Sequence, residues 1–396
     1  MSDWKEYRLG DIISIKSGLP YKGEYLNKGD NYLLGMGCVS FAETFLPNGA
    51  RHYSDGGKPQ YIGKAGDIVL ATRQQSDNMP ILGMPAIIPD FFEEGKVIIG
   101  SNLYMVDNKS DVDNRFLFWL LRTPQYINHI RYSQTGTTVR MITKKDIENF
   151  TFHCPPKNQR NTISSLLWNI QDKIETNRKI NARLEELAQA IFKSWFIDFE
   201  PFGGKMPEDW KPCILGDLTS EWKERVKNRN DVRVLSPLSS GELALSDEYF
   251  TKQVYSKDIS KYIIVKPRTF AYNPARINIG SIGINDYDFD GCVSPVYVVF
   301  KTLDGYDEFI NQFIKTQLFK DEVILRAIGG VRQTLSYNDF SLIEFIKPTI
   351  EAVTQYTNTV APLYVQMNTL NKESARLAAL RDTLLPKLMS GELIPE

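Results

Sequence analysis

Histidine is almost absent from this chain of 396 residues: there are three, His52, His129 and His153. No HExxH pair and no clustering of ligand-type side chains accompanies them, which excludes a zinc hydrolase. Cysteine is equally sparse. Cys38, Cys154, Cys213 and Cys292 lie far apart, without metal-ligand spacing, and read as reduced thiols of a cytoplasmic protein. The phosphate-cradling pattern GxxxxGK[ST] is missing, and Gly35-Met36-Gly37 lacks the third glycine and the helix of a dinucleotide fingerprint, so it reads as a turn. Neither sign of charge dominates: 47 basic residues face 48 acidic ones. That balance excludes a strongly basic nucleic-acid binder but leaves room for a local basic face. Long apolar runs are also lacking, and MSDWKEYRLGD does not resemble a signal peptide, so no membrane partner is expected.

What the chain has is a long amphipathic stretch, Gln159 to Trp195, with no internal glycine or proline. With Ile163 at heptad position a, the a sites are Ile163, Ile170, Asn177, Leu184 and Ile191, and the d sites are Leu166, Lys173, Ile180, Leu187 and Ser194. The pattern predicts a coiled-coil seam, with Asn177 setting its register. A helix of about 55 Å with so narrow a stripe needs a partner helix. The chain supplies one. At a constant offset of 193, Ile170, Leu184 and Leu187 recur as Leu363, Leu377 and Leu380, and Lys179 and Arg183 as Lys372 and Arg376. The match runs upstream without a gap through Pro155 and Pro348, Gly136 and Gly329, Thr123 and Thr316, to Ser101 and Ser294. Such an offset indicates an internal duplication. Ile163, Ile170, Leu184, Leu187, Leu363, Leu377 and Leu380 are the expected coil core. Pro362 stands where Asn169 stands in the first copy, so the second helix is expected to start late or kink there.

The opening WKEYRLGDI recurs at Trp210 at an offset of 206, so the front ends of the copies differ in length by 13 residues. Between the openings and the long helices, short β-type runs such as Asp67–Ala71 and Leu103–Val106, or Lys261–Val265 and Thr269–Tyr272, alternate with glycine, proline and asparagine. This predicts a twisted, largely antiparallel β domain in each copy. Helices are expected at Arg115–Ile130 and Glu308–Phe319, each followed by a polar loop. The predicted fold class is therefore α+β: two similar domains, residues 1–155 and 201–348, separated by two long antiparallel helices, residues 156–200 and 349–396, about a pseudo-twofold axis.

Two catalytic motifs are approached and missed. Asn273-Pro274-Ala275-Arg276 lacks the Pro-aromatic pair that clamps a flipped base, and Asp90 and Glu94 stand too close for a nuclease PD…ExK set. Two similar but non-identical domains at fixed separation suit an extended partner, and duplex DNA, whose grooves recur every 34–36 Å or so, is the natural one. The segments NARLEELAQAIFKSWFIDFEPF (Asn181 to Phe202), WKEYRLGDI and LRDTLLPKLMSGEL (Leu380 to Leu393), with the tandem arrangement, resemble the specificity (S) subunits of type I restriction-modification enzymes. The resemblance implies a non-catalytic chain with two target-recognition domains that reads a bipartite, asymmetric site in double-stranded DNA. It implies assembly with two modification (methyltransferase) subunits and with restriction (motor-nuclease) subunits, which would carry S-adenosylmethionine and ATP. Base-edge readers should be polar loop residues near basic ones. The candidates are Thr72, Arg73, Gln74 and Gln75 after one strand, matched by Asn273 and Arg276; Thr137, Thr138 and Arg140 in one loop, matched by Arg332 and Gln333; and Lys144 at the phosphates. A scaffold bridging two protein partners without DNA is the rival reading.

Overall fold

The computed structural model describes residues 4–74, 80–136, 139–249, 254–326 and 334–394. It divides into two compact units, residues 1–177 with 372–396, and residues 178–371. The candidates Gln75, Thr137, Thr138, Arg332 and Gln333 lie outside the described residues.

In the first unit, strands Ile13–Ser17, Leu103–Asn108, Ile68–Ala71 and Pro85–Ile87 form one antiparallel sheet in that order. Ile68, Val69, Leu70 and Ala71 are all fully buried, which is why this strand reads as an unbroken apolar run instead of alternating. One face packs on the helical side, with Phe116, Leu117, Phe118, Trp119 and Leu120, and on Ile163, Leu167, Trp168, Leu385 and Leu388 of the long helices. The other face packs on Cys38, Val39, Phe45, Ile81 and Met84. A second sheet orders Arg51–Tyr53, Leu26–Leu34 and Val97–Ile99, the last pair parallel. The chain start is pinned where Lys5–Arg8 pairs antiparallel with Thr151–Cys154, the strand that feeds the first long helix.

The second unit has the same order of pairing. Thr219–Trp222, Val298–Thr302, Phe270–Tyr272 and Ile282–Ile284 form its antiparallel sheet. Arg233–Pro237 runs parallel to Gly291–Val293, and Lys211–Ile214 pairs with Glu344–Lys347. Its core is aromatic, with Phe270 stacked on Phe300 at 4.9 Å and Phe192, Phe196 and Tyr356 of the long helices meeting Phe309 or one another.

Each expected single helix after the sheet is two. Asn114–Leu120 and Pro124–Ser133 replace Arg115–Ile130, and Asp307–Phe313 and Gln317–Arg326 replace Glu308–Phe319. The break is chemical. Pro124 has no N–H to continue the first helix, and Thr123 caps the next by accepting from the Tyr126 N–H at 3.3 Å. Thr316 does the same for the Phe319 N–H at 3.2 Å.

The long helices span Lys157–Phe196 and Ile350–Ser390. The second neither starts late nor breaks at Pro362, against expectation. Pro362 is exposed, and so is Asn358, whose carbonyl loses its partner and can take water instead. Burial of Val353, Tyr356 and Val360 holds the turns before it. Within the first unit the helices run antiparallel: Lys173 and Asn177 meet Glu373, while Gln171 meets Arg381. Within the second, Asn181 meets Asn371 while Trp195 meets Tyr356.

The seam differs from the predicted one by one row. Ile163, Ile170 and Asn177 are buried, but the companion row is Leu167, Ile174 and Ala188, one residue after the predicted d sites. Leu187 is 47% exposed and Leu380 48% exposed, so neither is coil core. One residue is about 100° of helix, and each neighbour takes the inner place: small Ala188 in one case, Arg381 in the other. Leu184, Leu363 and Leu377 are half-buried.

Arg381 belongs to a buried polar node of the first unit. Its guanidinium donates to Gln171 Oε1 at 2.5 Å and to the Ala42 carbonyl at 3.4 Å. Arg122 donates to the carbonyls of Ser40, Phe41 and Glu43. Burial, and then the nearby Arg381 charge, pull Arg122 down to about 9, which leaves it charged at neutral pH. Thr44 and Gln171 both donate to Glu175 Oε1, at 2.6 and 3.0 Å. Segment 40–44 of the β domain is thereby tied to both long helices.

Asn177 is fully buried, donates to Glu373 at 2.7 Å and Ser374 at 3.2 Å, and has no partner for its Oδ1 among the described residues. A polar seam residue of this kind selects register at a cost in stability. Asn177→Leu is therefore expected to raise the free energy of unfolding by about 1 kcal/mol, measured by urea denaturation; a lower midpoint would contradict this account of the seam.

Candidate nucleic-acid interface

The central strand Ile68–Ala71 ends at Thr72, and the chain then makes a two-residue strand, Arg73–Gln74, paired with Arg140–Met141. Strand alternation sorts the three candidates there. Arg73 faces outward and is exposed. Thr72, 4% exposed, donates its hydroxyl to the Asn102 carbonyl at 3.0 Å, and Gln74, 7% exposed, accepts from the Leu82 N–H at 3.4 Å. Thr72 and Gln74 are thus structural groups of the loop, not surface readers as the sequence suggested. Their polar atoms satisfy backbone that would otherwise be buried unpaired.

The loop after Pro124–Ser133 closes on itself. Thr135 and Met141 exchange both backbone hydrogen bonds, at 3.0 and 2.9 Å. Gly136 sits at φ +90°, and a Cβ there would lie 2.2 Å from the Val139 carbonyl. The loop's own closure requires this glycine. Beyond it, Thr143 caps the short helix Lys144–Glu148 through a capping box with Asp146. The Lys144 ammonium lies 5.9 Å over the Tyr104 ring, and Lys145 is exposed. Tyr104 also donates to the Ile142 carbonyl at 3.3 Å. Burial pushes the Tyr104 hydroxyl up, and the Arg73 charge opposes that rise. Arg73 and Lys144 therefore stand beside this sheet tyrosine, together with the acidic Asp146.

The second unit repeats the arrangement at the end of Phe270–Tyr272. Asn273 accepts from the Ala275 N–H at 3.1 Å, turning the chain so that Arg276 emerges exposed. Burial raises Tyr297, and the Arg276 charge opposes it, as Arg73 does for Tyr104. Tyr104 and Tyr297 are 193 residues apart. The descending segment contacts the turn at the same place in both units: the Ile142 N–H donates to Thr72 at 3.3 Å, and the Leu335 N–H donates to Pro274 at 3.0 Å.

Other chemistry finds little support. Burial raises Cys38 and Cys213 to about 11 and Cys292 to about 12, so these thiols are protonated at neutral pH and poor nucleophiles. Among the described residues no group of three or more His, Cys, Asp or Glu side chains could hold a metal, and no helix is long and apolar enough to cross a membrane. Sequence reasoning missed the Arg122–Arg381–Glu175 node, since nothing in the local pattern announces that Arg381 meets Gln171 and Ala42, 210 and 339 residues away. It also placed Tyr132 in a polar loop, whereas the helix runs on to Ser133; the helical phase of Tyr126 and Ile130 carries that signal.

Comparison with known proteins agrees with this geometry. Residues 1–186 match the family described as type I restriction modification DNA specificity domain. The type I restriction enzyme HindI specificity subunit of Haemophilus influenzae is 24% identical, over 99% of this chain and 100% of that protein. The MjaIX specificity subunit of Methanocaldococcus jannaschii is also 24% identical, over 98% of this chain and 88% of its own. In fold, the chain is similar to the crystal structure of the S subunit of a type I restriction-modification system from M. genitalium, with a TM-score of 0.57 at 14% identity, covering 100% of this chain and 96% of that one. The first 186 residues thus match a DNA specificity domain, and over nearly its whole length the chain is similar to specificity subunits of type I restriction enzymes and shares the α+β fold of an S subunit.

Proposed function

We propose that the chain is the DNA-reading subunit of a type I restriction-modification complex, and that each unit reads one half of a bipartite, asymmetric site. The observation that carries this is the paired placement of Arg73 and Arg276. Each is exposed, follows a central strand of its sheet, and lies close enough to a tyrosine in or just before the adjoining strand, Tyr104 or Tyr297, for its charge to oppose the rise that burial causes. The shared order of pairing in the two sheets and the constant offset of 193 support an internal duplication. A guanidinium suits the O6 and N7 acceptors of guanine, and Lys144 and Lys145 suit phosphate. The sequence differences between the units imply unlike half-sites.

The chain's role is recognition and assembly. Modification subunits would bring S-adenosylmethionine and the methyl-transfer chemistry, and restriction subunits would bring ATP-driven cleavage. The two long helices act as the spacer between the recognition domains, so that their length sets the gap between half-sites.

Two experiments test this reading. In the complex with its modification subunits, Arg73→Ala is expected to relax base preference in one half-site and Arg276→Ala in the other, each by about 1–3 kcal/mol. Binding to panels of half-site variants measures both; equal losses in the two half-sites, or none, refute the assignment. For the spacer, four residues are added after Asn177 and four after Asn371, where the two units divide. Each helix gains about 6 Å and stays nearly in phase. Methylation mapping is expected to return the same half-sites with a gap longer by about two base pairs. An active variant that keeps the original gap would show that the helices are not the ruler.

A further inference from the structure

The helix Pro124–Ser133 buries Tyr126 and Ile130, and its phase turns Tyr132 away from that core. Tyr132 is 88% exposed and has no ring contact or hydrogen bond among the described residues. Nothing in the fold of the unit uses this aromatic ring. Two more apolar side chains stand exposed in the loop that follows, Val139 at 36% and Met141 at 42%. The bridge between Thr135 and Met141 folds the loop back to the helix end, and Met141 lies opposite Arg73 in the ladder. Arg73 faces Met141 across the ladder, Arg131 and Arg140 are chain neighbours of Tyr132, Val139 and Met141, and Lys144 and Lys145 open the short helix that follows. The one acidic group of the short helix's first turn, Asp146, is held by Thr143 through both its hydroxyl and its N–H.

An apolar tip with cationic neighbours fits a partner that is polyanionic outside and apolar and flat within. Stacked base pairs between phosphate strands have that chemistry. We infer that Tyr132, backed by Met141 and Val139, enters the duplex between base pairs of the half-site read by the first unit and unstacks that step, while the neighbouring cations hold the phosphates. This rests on the DNA-reading assignment made above. At the position 193 residues later, Leu325 is 62% exposed on Gln317–Arg326, so the second unit offers an aliphatic wedge where the first offers an aromatic one.

The test uses the chain in complex with its modification subunits, on duplexes carrying the mapped site. Permanganate reactivity of thymines reports unstacking, and affinity is titrated against salt. The wild-type complex is expected to make a thymine of the first unit's half-site hyper-reactive. Tyr132→Ala is expected to abolish that signal and weaken binding by roughly 10- to 100-fold, with an unchanged slope of log affinity against log salt, because no charge is lost. Tyr132→Phe is expected to retain both signal and affinity. Arg73→Ala, by contrast, is expected to lower affinity for the cognate base. If Tyr132→Ala keeps full reactivity and affinity while Arg73→Ala and Arg140→Ala lose affinity, the wedge is wrong and the DNA face stands. If Arg73→Ala and Arg140→Ala both bind as wild type, the DNA face itself is wrong. If Tyr132→Ala loses its modification subunits but binds DNA unchanged, the ring is a protein contact and the wedge is overturned.

Discussion

A helix of forty residues with one narrow apolar stripe is unstable in water unless a second helix covers that stripe. Much else in this protein depends on how that requirement is met. In the first unit, residues 157–177 are covered by residues 372 onward; in the second, residues 178–196 are covered by the helix that begins at Ile350. The first unit is for this reason discontinuous, while the second is the continuous stretch 178–371. Each contains a part of both long helices, and the cores reflect it: Leu385 and Leu388 pack with Leu167 and Trp168, and Tyr356 packs with Phe192 and Phe196.

The β domains dock on these helices through different chemistry. In the first unit the junction is a polar node: buried Arg122 donates to the carbonyls of Ser40, Phe41 and Glu43, buried Arg381 donates to the Ala42 carbonyl and Gln171, and Thr44 and Gln171 donate to Glu175. In the second it is mainly aromatic, helped by Lys315 on Glu185 at 2.7 Å and by Arg268, which spans Asp307 and Glu308. Burial lifts the Glu308 carboxyl, and Arg268 opposes the rise. Directional hydrogen bonds and packed rings both fix the orientation of the β domain on its helices. The exposed Arg73 and Arg276 follow strands whose residues are completely buried, Ile68–Ala71 and Phe270–Tyr272.

Much of this was legible in the chain itself. The heptad run, the offset of 193 and the prolines before each long helix together determined two α+β halves and two long helices, because helical period, repeat and proline chemistry are local properties. The outward arginines followed from their place after apolar strands. Tertiary structure decided the rest. Which of Thr72, Arg73 and Gln74 faces out depends on the pairing of a two-residue strand with Arg140–Met141, a partner 66 or more residues away. Whether Leu187 or Ala188, Leu380 or Arg381, enters the seam depends on how closely the opposing helix approaches, which no single stripe encodes. Pro362 shows the same division: its missing N–H is a property of the residue, but its tolerance in the middle of a 41-residue helix comes from an exposed carbonyl and a buried face held by packing.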